Sequence, residues 1–312
     1  MTNLSEFTFL SSDGRTQLHG MAWEPADRPV KAVLQVCHGV AEYIGRYDWF
    51  ARQLNEQGIV VAGHDHLGHG LSIPEGGTPV YFGKGNTWNT VVDDIYVLHQ
   101  RLRQRYPDVP LCIMGHSMGS FLTRTYLIRY LGTVKAAVLM GTGWQPRAVL
   151  TGGLALADGI IALRGDSATS DFVTELAFGA YNKTFAPTRT SVDWISADEE
   201  NVDAYIADPL CGGDTTVGLF REMLRGLRFN QRQSNLRRMD KDTPVLFVSG
   251  DKDPVGALGK GVVQSAEAFR AAGVRDCTVK LYAGLRHEIL NEKAQRQQVE
   301  QDIETWLMDK LG

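Results

Sequence analysis

An α/β architecture, a mostly parallel eight-stranded sheet flanked by helices, is the fold class that this sequence predicts. Three observations lead there. Short apolar runs alternate with amphipathic stretches up to about residue 140, and the strand pattern resumes at residue 244. These runs are apolar nearly throughout, as strands are when both faces of a parallel sheet are covered. One of them, residues 109–114, feeds straight into Gly115-His116-Ser117-Met118-Gly119 and then into the apolar-periodic run 121–128. That is strand, sharp turn and helix, with a serine at the apex. Cβ atoms at Gly115 and Gly119 would crowd the neighbouring strand and helix of such a turn, and the serine is held strained with its Oγ exposed.

The elements follow in order. Residues 6–10 and 18–23 alternate around the turn signal Ser12-Asp13-Gly14, an antiparallel hairpin at a sheet edge. Residues 31–37 form a buried strand that ends in the loop His38-Gly39-Val40-Ala41-Glu42-Tyr43. Residues 48–57 are helical and 58–63 are the next strand. Residues 89–105 are a helix whose apolar positions Val92, Ile95, Tyr96, Leu98 and Leu102 fall mostly on one stripe. After the serine turn and its helix comes a short strand, 134–140. The rhythm then breaks: residues 144–235 hold helical runs, such as 153–163 and 217–227, and no convincing strand. Strands resume at 244–250 and 277–282, and a helix over 292–307 closes the chain. The expected organisation is one core from residues 1–143 and 236–312, with residues 144–235 inserted as a helical lid.

With 312 residues the chain has room for a large core plus an insertion. The net charge of −4 carries no basic excess of the kind that nucleic-acid binding needs. No apolar run reaches about 18 residues, so no transmembrane helix is expected. The N-terminal residues lack the positive region and apolar core of a signal peptide, and the expected location is the cytoplasm. Cys37, Cys112, Cys211 and Cys277 show no paired spacing, and three of them sit in strand-like runs, so they read as small core residues rather than ligands or disulfides.

A serine hydroxyl at neutral pH needs a base within hydrogen-bond reach, and the base needs an orienting partner. After a turn of this type the partners come later in the chain, acid first and histidine second. Of eight histidines only His287 follows His116, and it lies just past the strand 277–282. The acid should follow the strand 244–249, where the loop offers Asp251 and Asp253. Asp253 is favoured because a residue deeper in the loop reaches the histidine better and Pro254 stiffens it; Asp251 reads equally as a turn residue binding its own backbone. An oxyanion hole needs two backbone N–H groups: one from Met118, after the nucleophile, and one from the loop after an earlier strand, where Val40 is the choice.

Two further clusters compete. His64-x-His66 with His69 resembles the H-x-H-x-D-H spacing of a dizinc loop, but Gly68 stands at the aspartate position, so a structural loop shaped by Asp65 and glycines is the better reading and no metal is expected. The apolar stripe at 154–163, with Ile160, Ile161 and Leu163, reads as packing, with an acyl-chain pocket as the alternative.

The stretch from His38 to Tyr47 resembles the H-G-x-x-E-x-x-G-R-Y segment of the monoacylglycerol lipase and lysophospholipase family of α/β-hydrolases, and so do His64 to Ser72 and Gly115 to Gly119. In the middle block, Asp193-Trp194-Ile195-Ser196 and Asp208-Pro209-Leu210-Cys211-Gly212 look like bacterial, serine-aminopeptidase-like members. The resemblance implies a Ser117–Asp253–His287 triad, an oxyanion hole from the Val40 and Met118 amides, and no cofactor. It prefers Asp253, the third residue after the strand-ending glycine. It puts Glu42 and Arg46 near a head-group pocket, with an ion pair holding the loop as the alternative for Arg46. Leu290 and Gly256 depart from the vertebrate members, which carry a histidine and a cysteine there; this bears on glycerol specificity and not on ester chemistry.

The expected function is therefore a serine ester hydrolase. Its partners would be a small lipid-like ester, a monoacylglycerol or lysophospholipid, and transiently a membrane surface met through the lid; the oligomeric state is not indicated. The rivals are an aminopeptidase, with Asp198, Glu199 and Glu200 supplying an acidic pocket, an acyltransferase, and a non-catalytic hydrolase-like binding protein.

Overall fold

The computed structural model describes residues 1–311. Eight strands form one sheet: β1 (Thr2–Leu10), β2 (Gln17–Pro25), β3 (Ala32–Cys37), β4 (Ile59–His64), β5 (Leu111–His116), β6 (Ala137–Met140), β7 (Val245–Gly250) and β8 (Cys277–Tyr282). Their order is β1-β2-β4-β3-β5-β6-β7-β8. β1 pairs antiparallel with β2, and β2 with β4; the other pairs are parallel. Every residue of β3, β4, β5, β6 and β7 is buried, the consequence of helices on both faces.

The side-chain period of two splits the core in half. Val33, Val60, Ile113, Leu139 and Phe247 face one layer of packing, with α2 (Trp88–Arg105), α3 (Met118–Arg129) and α10 (Lys260–Ala271). Leu34, Val61, Met114, Val138 and Leu246 face the other, with α1 (Asp48–Asn55) and α11 (Arg296–Leu311). Between β6 and β7 the chain forms α4 (Arg147–Arg164), α5 (Asp171–Thr174), α6 (Ala180–Lys183), α7 (Glu199–Ala207), α8 (Val217–Asn230) and α9 (Gln233–Leu236). Among the described residues this segment adds no strand to the sheet, only an isolated bridge between Thr169 and Thr216. Buried hydrogen bonds tie α8 to α3: Asn230 Nδ2 donates to the Phe121 carbonyl at 2.8 Å, and the Thr125 hydroxyl donates to Asn230 Oδ1 at 2.8 Å.

Several elements depart from the sequence reading: β1 begins at Thr2 rather than 6, and β6 at Ala137 rather than 134. α10 is not signalled there. α4 begins at Arg147, well before the expected 153, since Pro146 supplies its preceding residue with φ −56°. The last helix starts at Arg296 rather than 292, because the Glu292 carboxylate turns back to accept the Arg286 amide at 2.7 Å.

Candidate active site

The strand order reverses at β3 and β5, and the carboxyl ends of these strands open the crevice where parallel α/β sheets bind ligands. Ser117 sits there, between β5 and α3, with φ 52° and ψ −121°, in a left-handed conformation that β-carbon-bearing residues rarely adopt. Its glycines are sterically required. A Cβ at Gly115 would run into the Gly119 carbonyl, and one at Gly119 would run into the Cys37 and His38 carbonyls at the end of β3.

His287, past β8, shares a cavity with Ser117. Its Nδ1 lies 3.0 Å from Asp253 Oδ2. That contact puts the ring proton on Nδ1 and leaves Nε2 as the basic nitrogen. Asp253 is fully buried and also accepts from the Ser249 hydroxyl at 3.0 Å and the Val255 amide at 2.9 Å. Burial works against its ionisation, but the His287 ring and these donors hold the carboxyl below its usual range. Asp251 instead accepts the Gly284 amide at 2.9 Å, from the loop after β8 rather than from its own turn. Trp194 packs against His287 with ring centres 5.1 Å apart.

The loop after β3 is pinned at several points. The Gly39 amide donates to Glu42 Oε1 at 2.5 Å, and His38 Nδ1 donates to the Gly39 carbonyl at 2.8 Å while its Nε2 accepts the His66 amide. A trans peptide sets C=O and N–H in opposite directions, so fixing the Gly39 carbonyl also aims the Val40 N–H. Among the described residues neither the Val40 nor the Met118 amide donates to a backbone acceptor.

Glu42, Arg46, His116 and Glu288 form a buried ionic cluster behind the serine. Arg46 grips Glu288 with two nitrogens, at 2.6 and 2.8 Å, and reaches Glu42 at 3.2 Å. His116 faces the Glu42 carboxylate through Nδ1 (2.9 Å) and the His287 carbonyl through Nε2 (3.3 Å). Burial opposes its charge, but the adjoining Glu42 carboxylate outweighs this and raises its pKa, and both ring nitrogens face acceptor oxygens. Glu42, whose burial is likewise opposed by His116 and Arg46, is held well below the carboxylate range. Glu42 lines the cavity; Arg46 is held behind it in the ion pair that the sequence offered as its alternative role. Sequence reasoning missed Glu288, His116 and Ser249, although the first two directly flank His287 and Ser117.

Two cavities meet at Ser117 and Val40. One, of about 300 Å³, has a mixed lining: Glu42, Glu175, Asp214 and Glu288 beside apolar Val192, Trp194 and Ile195, with Tyr205 and no lysine or arginine among the described residues. The other, of about 450 Å³, is lined by apolar groups such as Phe121, Val149, Phe220, Met223, Leu224 and Leu227. The wall from α4 is its first half, Ala148 to Gly153; Ile160 and Ile161 pack against the core, the reading the sequence favoured, while Leu163 is exposed. Asp198, Glu199 and Glu200 do not line either cavity: Asp198 caps α7, accepting from the Glu200 and Asn201 amides, and Glu200 pairs with Lys293. Among the described residues no cluster is arranged to hold a metal. In the His64–His69 loop, His69 Nδ1 donates to the Leu67 carbonyl at 2.9 Å, and Asp65 accepts the Ile44 and Leu71 amides.

A serine at a strained turn, a histidine oriented by a buried carboxylate and a mostly parallel covered sheet define an α/β-hydrolase. Over residues 28–294 the chain matches the family described as Serine aminopeptidase, S33, and it belongs to that family. It is similar to the monoacylglycerol lipase of Mycolicibacterium smegmatis, with 29% identity covering 98% of both chains. It is also similar to the monoglyceride lipase of Mus musculus, with 27% identity covering 93% of this chain and 86% of that one. A thermostable carboxyl esterase from Bacillus coagulans, solved in complex with glycerol, superposes with a TM-score of 0.92 at 26% identity over the full length of both chains. The protein is a hydrolase of the esterase type with a small-molecule ester substrate.

Proposed function

We propose that the protein hydrolyses monoacylglycerols through an acyl-enzyme on Ser117. His287 takes the serine proton as Oγ attacks the ester carbonyl, then delivers it to the departing alcohol; Asp253 holds the imidazole tautomer and stabilises its charged form. The Val40 and Met118 amides receive the oxyanion. Water, deprotonated by His287, then releases the fatty acid. Residues 144–235 act as a lid that roofs both cavities.

The observation that carries the substrate reading is the contrast between the two cavities at Ser117. The apolar one accepts an acyl chain. The mixed one presents Glu175, Asp214 and the rim of the Glu42–Glu288 cluster among apolar groups, with no lysine or arginine, which supports a neutral polyol over a phosphate. Exposed Val149, Leu163 and Phe172 on the lid support transient contact with a lipid surface. The four free cysteines support a reducing, cytoplasmic setting.

The test is the initial rate on monoacylglycerols, lysophospholipids and short p-nitrophenyl esters, with Ser117→Ala as control. A serine-dependent preference for medium or long monoacylglycerols is expected. Turnover confined to short activated esters, or faster cleavage of lysophospholipids, would overturn the substrate reading.

A further inference from the structure

The loop that carries Val40 is held from two sides. The core side supplies His38 and Glu42, which fix both ends of Gly39. The other side comes from residues 205–212, the last turn of α7 and the loop that follows it. There the Tyr205 hydroxyl donates to the Ala41 carbonyl at 3.1 Å, and the Gly212 amide donates to the same carbonyl at 3.0 Å. Beside it, the Tyr43 hydroxyl donates to Asp208 Oδ2 at 2.9 Å. Ala41 has φ 53°, a conformation strained for an alanine that persists only where surrounding contacts over-determine it. Two of those contacts come from the lid. Tyr205 is itself backed by the Arg46 guanidinium, 5.1 Å from its ring centre, within the cluster that reaches Glu288.

We infer that Tyr205 is a positioning residue for the oxyanion hole, and that the lid, docked through Tyr205 and Gly212 on the Ala41 carbonyl and through Asp208 on Tyr43, completes the hole by holding the Val40–Ala41 turn. This rests on the serine-ester reading above. Released from Ala41, the turn relaxes towards ordinary φ values, and the Val40 N–H loses its aim at the oxyanion. Lid docking and catalytic competence are then one equilibrium.

Both halves of the reaction pass through an oxyanion, whereas only the first holds the alcohol. This separates positioning from substrate contact, which matters because Tyr205 also lines the smaller of the two cavities at Ser117. The experiment is pre-steady-state burst kinetics with a p-nitrophenyl ester on Tyr205→Phe and Tyr43→Phe; Tyr43 does not line that cavity. Acylation and deacylation should both slow, about tenfold for Tyr205→Phe and severalfold for Tyr43→Phe, below the roughly 100- to 1000-fold loss for removing an oxyanion donor outright. The KM for short esters should stay within about twofold. Slowed acylation with unchanged deacylation would make Tyr205 an alcohol contact and overturn the inference, as would unchanged rates in both variants. Absence of any burst or covalent intermediate in the wild type would instead refute the serine-ester reading.

Discussion

His64, His66 and His69 are wholly buried, and both ring nitrogens of His64 and His66 lack a hydrogen-bond partner among the described residues. Burial, reinforced by the neighbouring His38, pushes His64 and His69 down to about 3 and His66 well below its ordinary value. The folded state therefore keeps these rings neutral while the unfolded chain protonates them near pH 6.5. With a depressed folded pKa the unfolded state binds more protons in the window below 6.5, so stability falls as pH falls. Each such histidine contributes a slope of about 1.4 kcal/mol per pH unit, persisting down to the folded pKa. Asp94 and Glu300, raised by burial to about 6 and 7, act in the opposite sense, so the wild-type curve is a net of both. His64→Leu isolates one term, because the carboxyl contributions are common to both proteins. His64 lies at the end of β4, edge-on to Phe9 at 5.2 Å, where an apolar side chain of similar size can pack. Between pH 6.5 and 4.5 the variant should gain about 2 kcal/mol on the wild type, since the unfolded ring is only half protonated at pH 6.5 and the full slope sets in below it. Urea midpoints followed by circular dichroism across this range measure it. Parallel pH profiles for the two proteins would refute the buried-neutral account of the loop.

Other outcomes follow from the turn and the triad. Asp253→Asn should leave the fold intact and lower kcat by about 10⁴-fold by losing the imidazole tautomer, read from steady-state rates. Ser117→Gly should abolish hydrolysis yet raise the melting temperature, since a glycine relieves about 1–3 kcal/mol of backbone strain at φ 52°; an unchanged or lower melting temperature would show that the turn is unstrained. Gly119→Ala should destabilise by about 1–3 kcal/mol and reduce activity, because its methyl meets backbone carbonyls of β3 and cannot be absorbed by a rotamer change.

What could be read from the sequence were features that are local in the chain. The serine turn announces itself because its glycines, strand and helix are contiguous, and the strands β3 to β7 because burial on both faces makes each a solid apolar run. The Asp253–His287 proximity could be anticipated from strand order, although Asp251 and Asp253 are separated only by where their side chains turn. The ionic cluster behind the serine was not legible: Arg46 and Glu288 are 242 residues apart, and nothing in either segment specifies the other. The same holds for Tyr205 on Ala41, 164 residues away. Asp198, Glu199 and Glu200 look like an acidic pocket in sequence and are a helix N-terminus in space, where carboxylates satisfy free amides. The acyl-side wall was not legible along α4, because its periodicity shows an apolar face but not which half of the helix meets the serine.

The central claim is that one serine, Ser117, carries the acyl group. Labelling the protein with a fluorophosphonate, then peptide mapping by mass spectrometry, tests it most directly. The account predicts one stoichiometric adduct on the peptide containing residues 115–119, abolished in Ser117→Ala together with hydrolysis. An adduct on another residue, or hydrolysis persisting in that variant, would contradict it.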